Sequence, residues 1–172
     1  MNNMTSYNAL YGTKTADNLM HAFEHEAASA MRSGVYSMQA MQDRDFATKR
    51  MLDEMNENGV SQGELWLGYL DETGTPGENL NTLSRMKREH DAAAYYDMAD
   101  IADEEGFQEI AQKFRMAAAV NESHADILDE RMRMLDGTMQ YEANHQFRCP
   151  VCGYVVRGNT LPEMCPLCNN SY

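Results

Sequence analysis

Basic residues are scarce in this chain of 172 residues: 14 lysines and arginines stand against 27 aspartates and glutamates, and the formal net charge is −13. A surface of this sign repels the phosphates of nucleic acids and of anionic membranes, so neither is an expected partner. Apolar runs of about 20 residues, the length of a membrane-spanning helix, are absent as well. The first residues lack the charged and apolar regions of a signal peptide, and we therefore expect a soluble, cytoplasmic protein.

Strand-like alternation is nearly absent before residue 147, and apolar residues recur instead at steps of three and four through four long stretches. These stretches run over about 16–42, 46–70, 78–105 and 107–135. Four amphipathic helices of this length predict an all-α four-helix bundle.

The predicted inner faces of the helices follow from the same spacing. They include Leu19, Ala22, Phe23, Ala27 and Ala30 on the first helix and Leu80, Leu83, Lys87, His90, Ala94 and Ile101 on the third. Thr15 is the expected cap of the first helix, and Gly106 is expected to end the third. Gly59 and Gly63 are expected to weaken the middle of the second helix.

The predicted organisation has four parts. These are an N-terminal arm over 1–14, the bundle over 15–138, a linker over 139–146 and a small cysteine-containing domain over 147–172. Asn18-Leu19 recurs as Asn79-Leu80, and Phe46 recurs as Phe107, at an offset of 61 residues in both cases. A constant offset suggests that a helix pair was duplicated.

All four cysteines lie near the end of the chain, in the pairs Cys149 with Cys152 and Cys165 with Cys168. Two Cys-x-x-Cys turns can close a tetrahedral sulfur cage around zinc or iron, and the spacing alone does not separate the two metals. Gly153 allows the chain to reverse after the first pair. Two disulfides are the alternative, although thiols stay reduced in a cytoplasm. A tail of about two dozen residues cannot fold alone, so metal binding would contribute on the order of 10 kcal/mol to its folding.

The cysteine segment resembles the rubredoxin-type iron centre at the end of the rubrerythrins. The resemblance rests on Cys-Pro-Val-Cys-Gly-Tyr at 149–154, a twelve-residue spacer that contains Pro162-Glu163, and Cys-Pro-Leu-Cys at 165–168. It favours iron over zinc in this site.

Further motifs extend this resemblance over nearly the whole chain. They are Gly-Thr-Lys-Thr-x-x-Asn-Leu at 12–19, Glu-Asn-Leu at 78–80, Glu-Glu-Gly-Phe-x-Glu-Ile-Ala at 104–111 and Phe114-Arg115. The rubrerythrin family combines a ferritin-like four-helix bundle with a rubredoxin-like tail, and its members reduce hydrogen peroxide at a di-iron carboxylate site. The resemblance also implies a homodimer, in which the tail of one subunit approaches the bundle of its partner.

The bundle ligands of that family are only partly present. The first-helix glutamate matches Glu26, while the Glu-x-x-His motifs of the second and fourth helices become Gly59 with Gln62 and Asn121 with His124. The third-helix glutamates fall on Lys87 and His90, and Tyr95 matches a tyrosine near the family's irons. Too few carboxylates remain to neutralise two cations, which opposes a normal di-iron centre.

Three states of the bundle site follow from this set. In one, no metal binds and Lys87 pairs with Glu26, since buried charges persist when they are paired. In another, Glu26, His90 and His124 hold a single metal, because one carboxylate with two imidazoles suits iron, zinc or manganese. In the third, a di-iron centre survives.

Three functions are therefore open. The first is electron transfer through the four-cysteine iron centre, with an altered bundle site and a redox partner protein. The second is an active, NADH-linked peroxidase that serves in oxidative stress. The third is a zinc-binding scaffold or interaction protein without catalysis. The resemblance favours redox chemistry, and the lost ligands oppose the peroxidase.

Overall fold

The structure is a computed structural model that describes residues 9–138 and 145–172. The chain divides into two compact units, residues 1–74 and 75–172. None of the helices within the described ranges combines the length and the apolar character needed to cross a membrane.

The first unit contains a helix pair, α1 over Lys14–Gln42 and α2 over Phe46–Tyr69. Thr13 caps α1 by accepting a hydrogen bond from the Ala16 amide at 3.2 Å, so the expected cap at Thr15 is wrong by two residues. The break predicted between the two helices is confirmed, because Asp45 caps α2 through the Thr48 amide at 3.0 Å.

Small residues form the seam of this first helix pair. The buried positions are Ala30, Ser37, Ala40, Gly59 and Gly63. A Cβ atom at Gly59 would lie 2.9 Å from Ala30 Cβ, so the missing side chain is what lets the helices approach. Helix α2 also runs without interruption through Gly59 and Gly63, so the predicted weakening of its middle is wrong, and the two glycines mark a close contact between the helices.

The second unit contains another helix pair, in which a long first arm packs against α5 over Gln108–Leu135. That arm consists of α3 over Pro76–Arg85, a π-helical segment over Met86–Ala92 and α4 over Ala93–Glu104. Thr75 caps it with a reciprocal pair of hydrogen bonds to Glu78. The sequence had predicted one regular α-helix here, which the π-helical segment corrects.

The seam of the second helix pair also consists of small residues. These are Ser84, Ala92, Ala99, Ala102, Ala111, Ala118 and Ala125. By contrast, Leu83 and Ile101, two members of the predicted inner face, are 44% and 57% exposed. Apolar spacing marks the general side of a helix, but it does not separate a narrow alanine seam from the larger side chains on the adjacent face.

The two helix pairs repeat the same arrangement of caps and turns. Thr13 caps the first arm of one pair and Thr75 caps the first arm of the other, 62 residues later. Each first arm is followed by a residue with a positive φ, Arg44 in one pair and Gly106 in the other, again 62 residues apart. The residues that repeat in the sequence, such as Asn18 and Asn79, are 61 residues apart, so their positions in the two helix pairs differ by one residue. The repeat therefore lies in the caps and turns.

The last described segment, 145–172, forms what we call the cysteine module. Its two strands, β1 over His145–Arg148 and β2 over Val155–Gly158, pair in antiparallel fashion with Arg148 opposite Val155. Strand β1 includes His145 and Gln146, so the predicted linker extends two residues too far. The rest of that predicted linker, 139–144, lies outside the described residues.

Candidate metal centre

The first cysteine turn is built by two backbone hydrogen bonds. The Cys149 amide donates to the Tyr154 carbonyl at 2.8 Å, and the Gly153 amide donates to the Cys149 carbonyl at 3.0 Å. Gly153 has a φ of +80°, a left-handed conformation that favours glycine. The prediction that Gly153 lets the chain reverse after the first cysteine pair is therefore confirmed.

The second cysteine turn repeats this geometry. The Cys165 amide donates to the Asn170 carbonyl at 2.8 Å, and the Asn169 amide donates to the Cys165 carbonyl at 2.9 Å. Asn169 has a φ of +56° and fills the place of Gly153, because asparagine tolerates the left-handed conformation better than most residues. The two turns therefore present their sulfur atoms from matching positions.

The four sulfur atoms lie within 4.8 Å of one another. Cys149 Sγ is 3.6 Å from Cys168 Sγ, and Cys152 Sγ is 3.7 Å from Cys165 Sγ. A tetrahedral metal with bonds of about 2.3 Å to sulfur requires a separation of roughly 3.8 Å, so the cage has the size of a zinc or iron site. All four thiols are free, and the alternative of two disulfides is wrong.

The pKa values of the thiols differ with their surroundings. The hydrogen bond from the Asn170 side chain, helped by its backbone amide, lowers the pKa of Cys168 to about 6. The Cys152 backbone amide is the main cause that lowers the pKa of Cys149. Burial raises the pKa of Cys152 to about 12. Metal binding requires thiolates, and two of the four sulfur atoms are already stabilised in that form.

Tyr172 provides a second test of the site. Its hydroxyl is buried and has no hydrogen-bond partner within the described segments. Burial, followed by the negative charge of Cys165, raises the pKa of Tyr172 to about 12. A metal-bound thiolate accepts hydrogen bonds, so a metal held by the four cysteines would leave an acceptor beside this buried donor. The residues thus fit a sulfur-bound metal.

The cysteine module lies against helix α5 of its own chain. Arg157 of β2 forms an ion pair with Glu130, and a Cβ atom at Gly153 would lie 4.0 Å from a methyl carbon of Val120. Tyr154 and Pro166 line a groove against Ser123 and its neighbours. The family resemblance had implied an approach to a partner's bundle, and the contact described here is within one chain.

The candidate bundle residues of the first unit have different surroundings. Glu26 is half-buried on α1, and Gln62 is exposed on α2. Gly59 is buried, and a Cβ there would lie 2.9 Å from Ala30 Cβ and 3.4 Å from the Glu26 carbonyl oxygen. The position that the resemblance assigns to a family glutamate therefore has no room for such a side chain between α1 and α2.

The candidate bundle residues of the second unit lie on both arms of its helix pair. Lys87 and His90 belong to the π-helical segment, where His90 is exposed and Lys87 pairs with Asp91 at 2.8 Å. On α5, Asn121 donates to the Ala117 carbonyl at 2.9 Å, and His124 is half-buried. The predicted Glu26 pair with Lys87 and the predicted ligand set of Glu26, His90 and His124 span the two units and stay predictions.

Sequence reasoning missed three residues around these sites. Asp91 was overlooked because it lies outside the predicted apolar stripe, although its spacing of four from Lys87 is that of a helical ion pair. Asn170 and Tyr172 follow the last cysteine and carry no spacing signal. Tyr95 packs against Phe114 with ring centres 6.0 Å apart, which is a core contact.

Comparison with known proteins gives consistent results. Residues 147–171 match the family described as rubrerythrin, rubredoxin-like domain. Rubrerythrin-1 of Clostridium acetobutylicum is 27% identical, and the rubrerythrin of Clostridium perfringens is 28% identical; each alignment spans 93% of this chain and 92% of the relative. Nigerythrin in its partially reduced state matches with a TM-score of 0.50 and 18% identity, over 98% of this chain and 91% of that structure.

The nigerythrin likeness confirms the fold class, a ferritin-like helical bundle followed by a rubredoxin-like domain. The match at 147–171, together with the cluster of four sulfur atoms, supports iron binding and a redox role. The chain is thus similar to rubrerythrins over 93% of its length, and its residues 147–171 match the rubredoxin-like domain of that family.

Proposed function

We propose that this protein transfers electrons through iron bound by Cys149, Cys152, Cys165 and Cys168. The observation that carries the proposal is the sulfur cage, whose separations of 3.6 and 3.7 Å suit a metal with four thiolate ligands. Iron in such a cage supplies a reversible one-electron couple. The chain contributes the cage and the burial of Cys149 and Cys165, each of which is fully buried.

The proposal includes an altered bundle site that holds one metal or none. Its support is the loss of carboxylates at Gly59 and Asn121, combined with the close packing of Gly59 against Ala30. Lys87 adds a positive charge, which Asp91 accompanies at 2.8 Å. A second iron would need anionic ligands that these positions do not offer.

Peroxide reduction at a di-iron site is the second candidate. Similarity to two rubrerythrins over 93% of the chain favours it, since the family resemblance implies that activity. The lost ligands place it behind electron transfer. A zinc-bound scaffold without redox chemistry would retain the same cage, and the identity of the metal distinguishes it.

The expected setting follows from the family resemblance. We propose a cytoplasmic homodimer that exchanges electrons with a redox partner protein during oxidative stress. The net charge of −13 favours a partner with a basic docking surface.

The test is the metal content of protein purified without oxygen, with the visible spectrum of its oxidised form. One iron per chain with thiolate-to-iron absorption supports the proposal, and Cys152→Ser should abolish that absorption. A second iron per chain would assign a single metal to the altered bundle site. Three irons per chain would favour the peroxidase, and a hydrogen peroxide assay would then follow. Zinc alone in a colourless solution would overturn electron transfer.

A further inference from the structure

We propose that the side chain of Asn170 raises the reduction potential of the metal centre by donating a hydrogen bond to Cys168 Sγ. The inference rests on the proposed function, because it concerns the couple through which electrons would pass. It assigns a role to a residue that lies outside the ligand set.

The geometry places the carboxamide of Asn170 over its cysteine. Asn170 Nδ2 is 3.3 Å from Cys168 Sγ and 3.2 Å from the Cys168 carbonyl oxygen. A carboxamide nitrogen carries two hydrogen atoms, so both contacts can be made at once. The carbonyl contact orients the amide and leaves its second N–H for the sulfur.

This donor breaks the near-symmetry of the two cysteine turns. Tyr154 and Asn170 occupy equivalent places, since each carbonyl accepts the amide of the first cysteine in its turn at 2.8 Å. The Tyr154 side chain lies in the groove against α5. Within 145–172, the structure therefore shows a side-chain amide donor for Cys168 and none for Cys152.

The direction of the effect follows from charge. Reduction adds one electron from a one-electron donor, breaks no bond and makes the thiolate cage more negative. An N–H donor stabilises the more negative state more strongly, so it raises the reduction potential. Asn170 is exposed, and competition from water limits the effect to a modest one.

The experiment compares Asn170→Ala with Asn169→Gly in the iron-loaded full chain. Asn170→Ala removes the side-chain donor and keeps the backbone carbonyl that accepts from Cys165. Asn169→Gly changes the adjacent side chain, and glycine accepts the φ of +56° at that position. Spectroelectrochemical titration measures the reduction potential of each protein.

The expected result for Asn170→Ala is a fall in the reduction equilibrium constant of about threefold or more, which is about 28 mV for a one-electron couple. Asn169→Gly should retain the potential of the unmodified protein. Equal potentials in all three proteins would overturn the role of Asn170 and leave electron transfer intact.

A zinc experiment separates failure of this inference from failure of the proposed function. If the unmodified protein shows no reversible couple, electron transfer is overturned, and competition with a chelator for zinc still tests the hydrogen bond. Asn170→Ala should then lose zinc at a severalfold lower chelator concentration than Asn169→Gly. Equal zinc retention would show that the Asn170 amide does not stabilise the Cys168 thiolate.

Discussion

At the scale of single residues, Gly59 is interpreted differently from the sequence and from the structure. From the sequence, the family resemblance places it where rubrerythrins carry a metal-binding glutamate, and a glycine there is expected to weaken the helix. In the structure it is buried, and its missing Cβ allows α1 and α2 to approach. The close helix contact at Gly59 therefore leaves no space for the glutamate that the resemblance expects there.

Replacing this glycine tests its packing role. Gly59→Ala should lower the free energy of unfolding by about 1 kcal/mol, because overpacking outweighs the better helix propensity of alanine. Gly68→Ala is the control, since no atom lies within 4 Å of a Cβ there, and it should stabilise α2 by about 0.5 kcal/mol. Urea unfolding of the metal-loaded full chain measures both. Stabilisation by Gly59→Ala equal to that by Gly68→Ala would contradict the close contact.

Residue identity also explains why the cysteine site could be foreseen and its tuning could not. Two Cys-x-x-Cys turns are local in sequence, and each turn places its sulfur atoms by short-range backbone hydrogen bonds. The Asn170 contact with Cys168 depends on the orientation of one exposed side chain. Spacing contains no information about that orientation.

At the scale of elements, polar contacts join the long arm of the second unit to α5. Ser84 donates to Asp129, and Arg88 pairs with Asp129 at 2.9 Å and with Asp126 at 2.8 Å. Burial opposes ionisation of Asp129, but the hydrogen bonds from Ser84 and Arg88 dominate and lower its pKa below the ordinary 3.8. A carboxylate with a lowered pKa stabilises the fold above its unfolded pKa and loses that contribution as the pH falls.

This linkage predicts an acid-sensitive helix pair. The melting temperature should fall as the pH drops below about 4, and Asp129→Asn should reduce that pH dependence. Asp126→Asn is the matched control, because Asp126 pairs with the same arginine while its side chain is 78% exposed. Circular dichroism melts between about pH 3 and pH 6 measure the difference. A pH dependence unchanged in Asp129→Asn would refute the assignment.

The helix boundaries separate what is readable in a sequence from what is not. The break after Gln42 and the end at Gly106 follow from local turn chemistry, and both are present. The π-helical segment at 86–92 was not predicted, because the spacing of apolar residues does not show whether each backbone amide bonds to the carbonyl four or five residues before it. Lys87 and His90 lie within it, and π-helical turns are frequent at functional sites.

At the scale of the whole molecule, metal binding and folding are linked in the cysteine module. Its described segment is short, and the two cysteines that are fully buried are also proposed ligands. Such a module gains on the order of 10 kcal/mol of folding energy from a zinc-type site. The helix pairs are packed through their own seams of alanine, serine and glycine, so we expect them to keep their structure without metal.

Metal removal should therefore unfold one part of the chain. A chelator should abolish the slow hydrogen exchange of the β1 and β2 amides while the helical circular dichroism is retained. Restoring the metal should restore protection. Continued protection of the strand amides in metal-free protein would contradict the linkage.

For the whole molecule, the geometry of the cysteine site leads to the central claim that one sulfur-bound iron per chain carries electrons. A reductive titration of the iron-loaded protein, counted in electrons per chain and followed in the visible spectrum, tests it most directly. The account predicts that one electron per chain bleaches the thiolate-to-iron absorption and that oxidation restores it. An uptake of about three electrons per chain would reveal a di-iron site as well, and no uptake at all would exclude electron transfer.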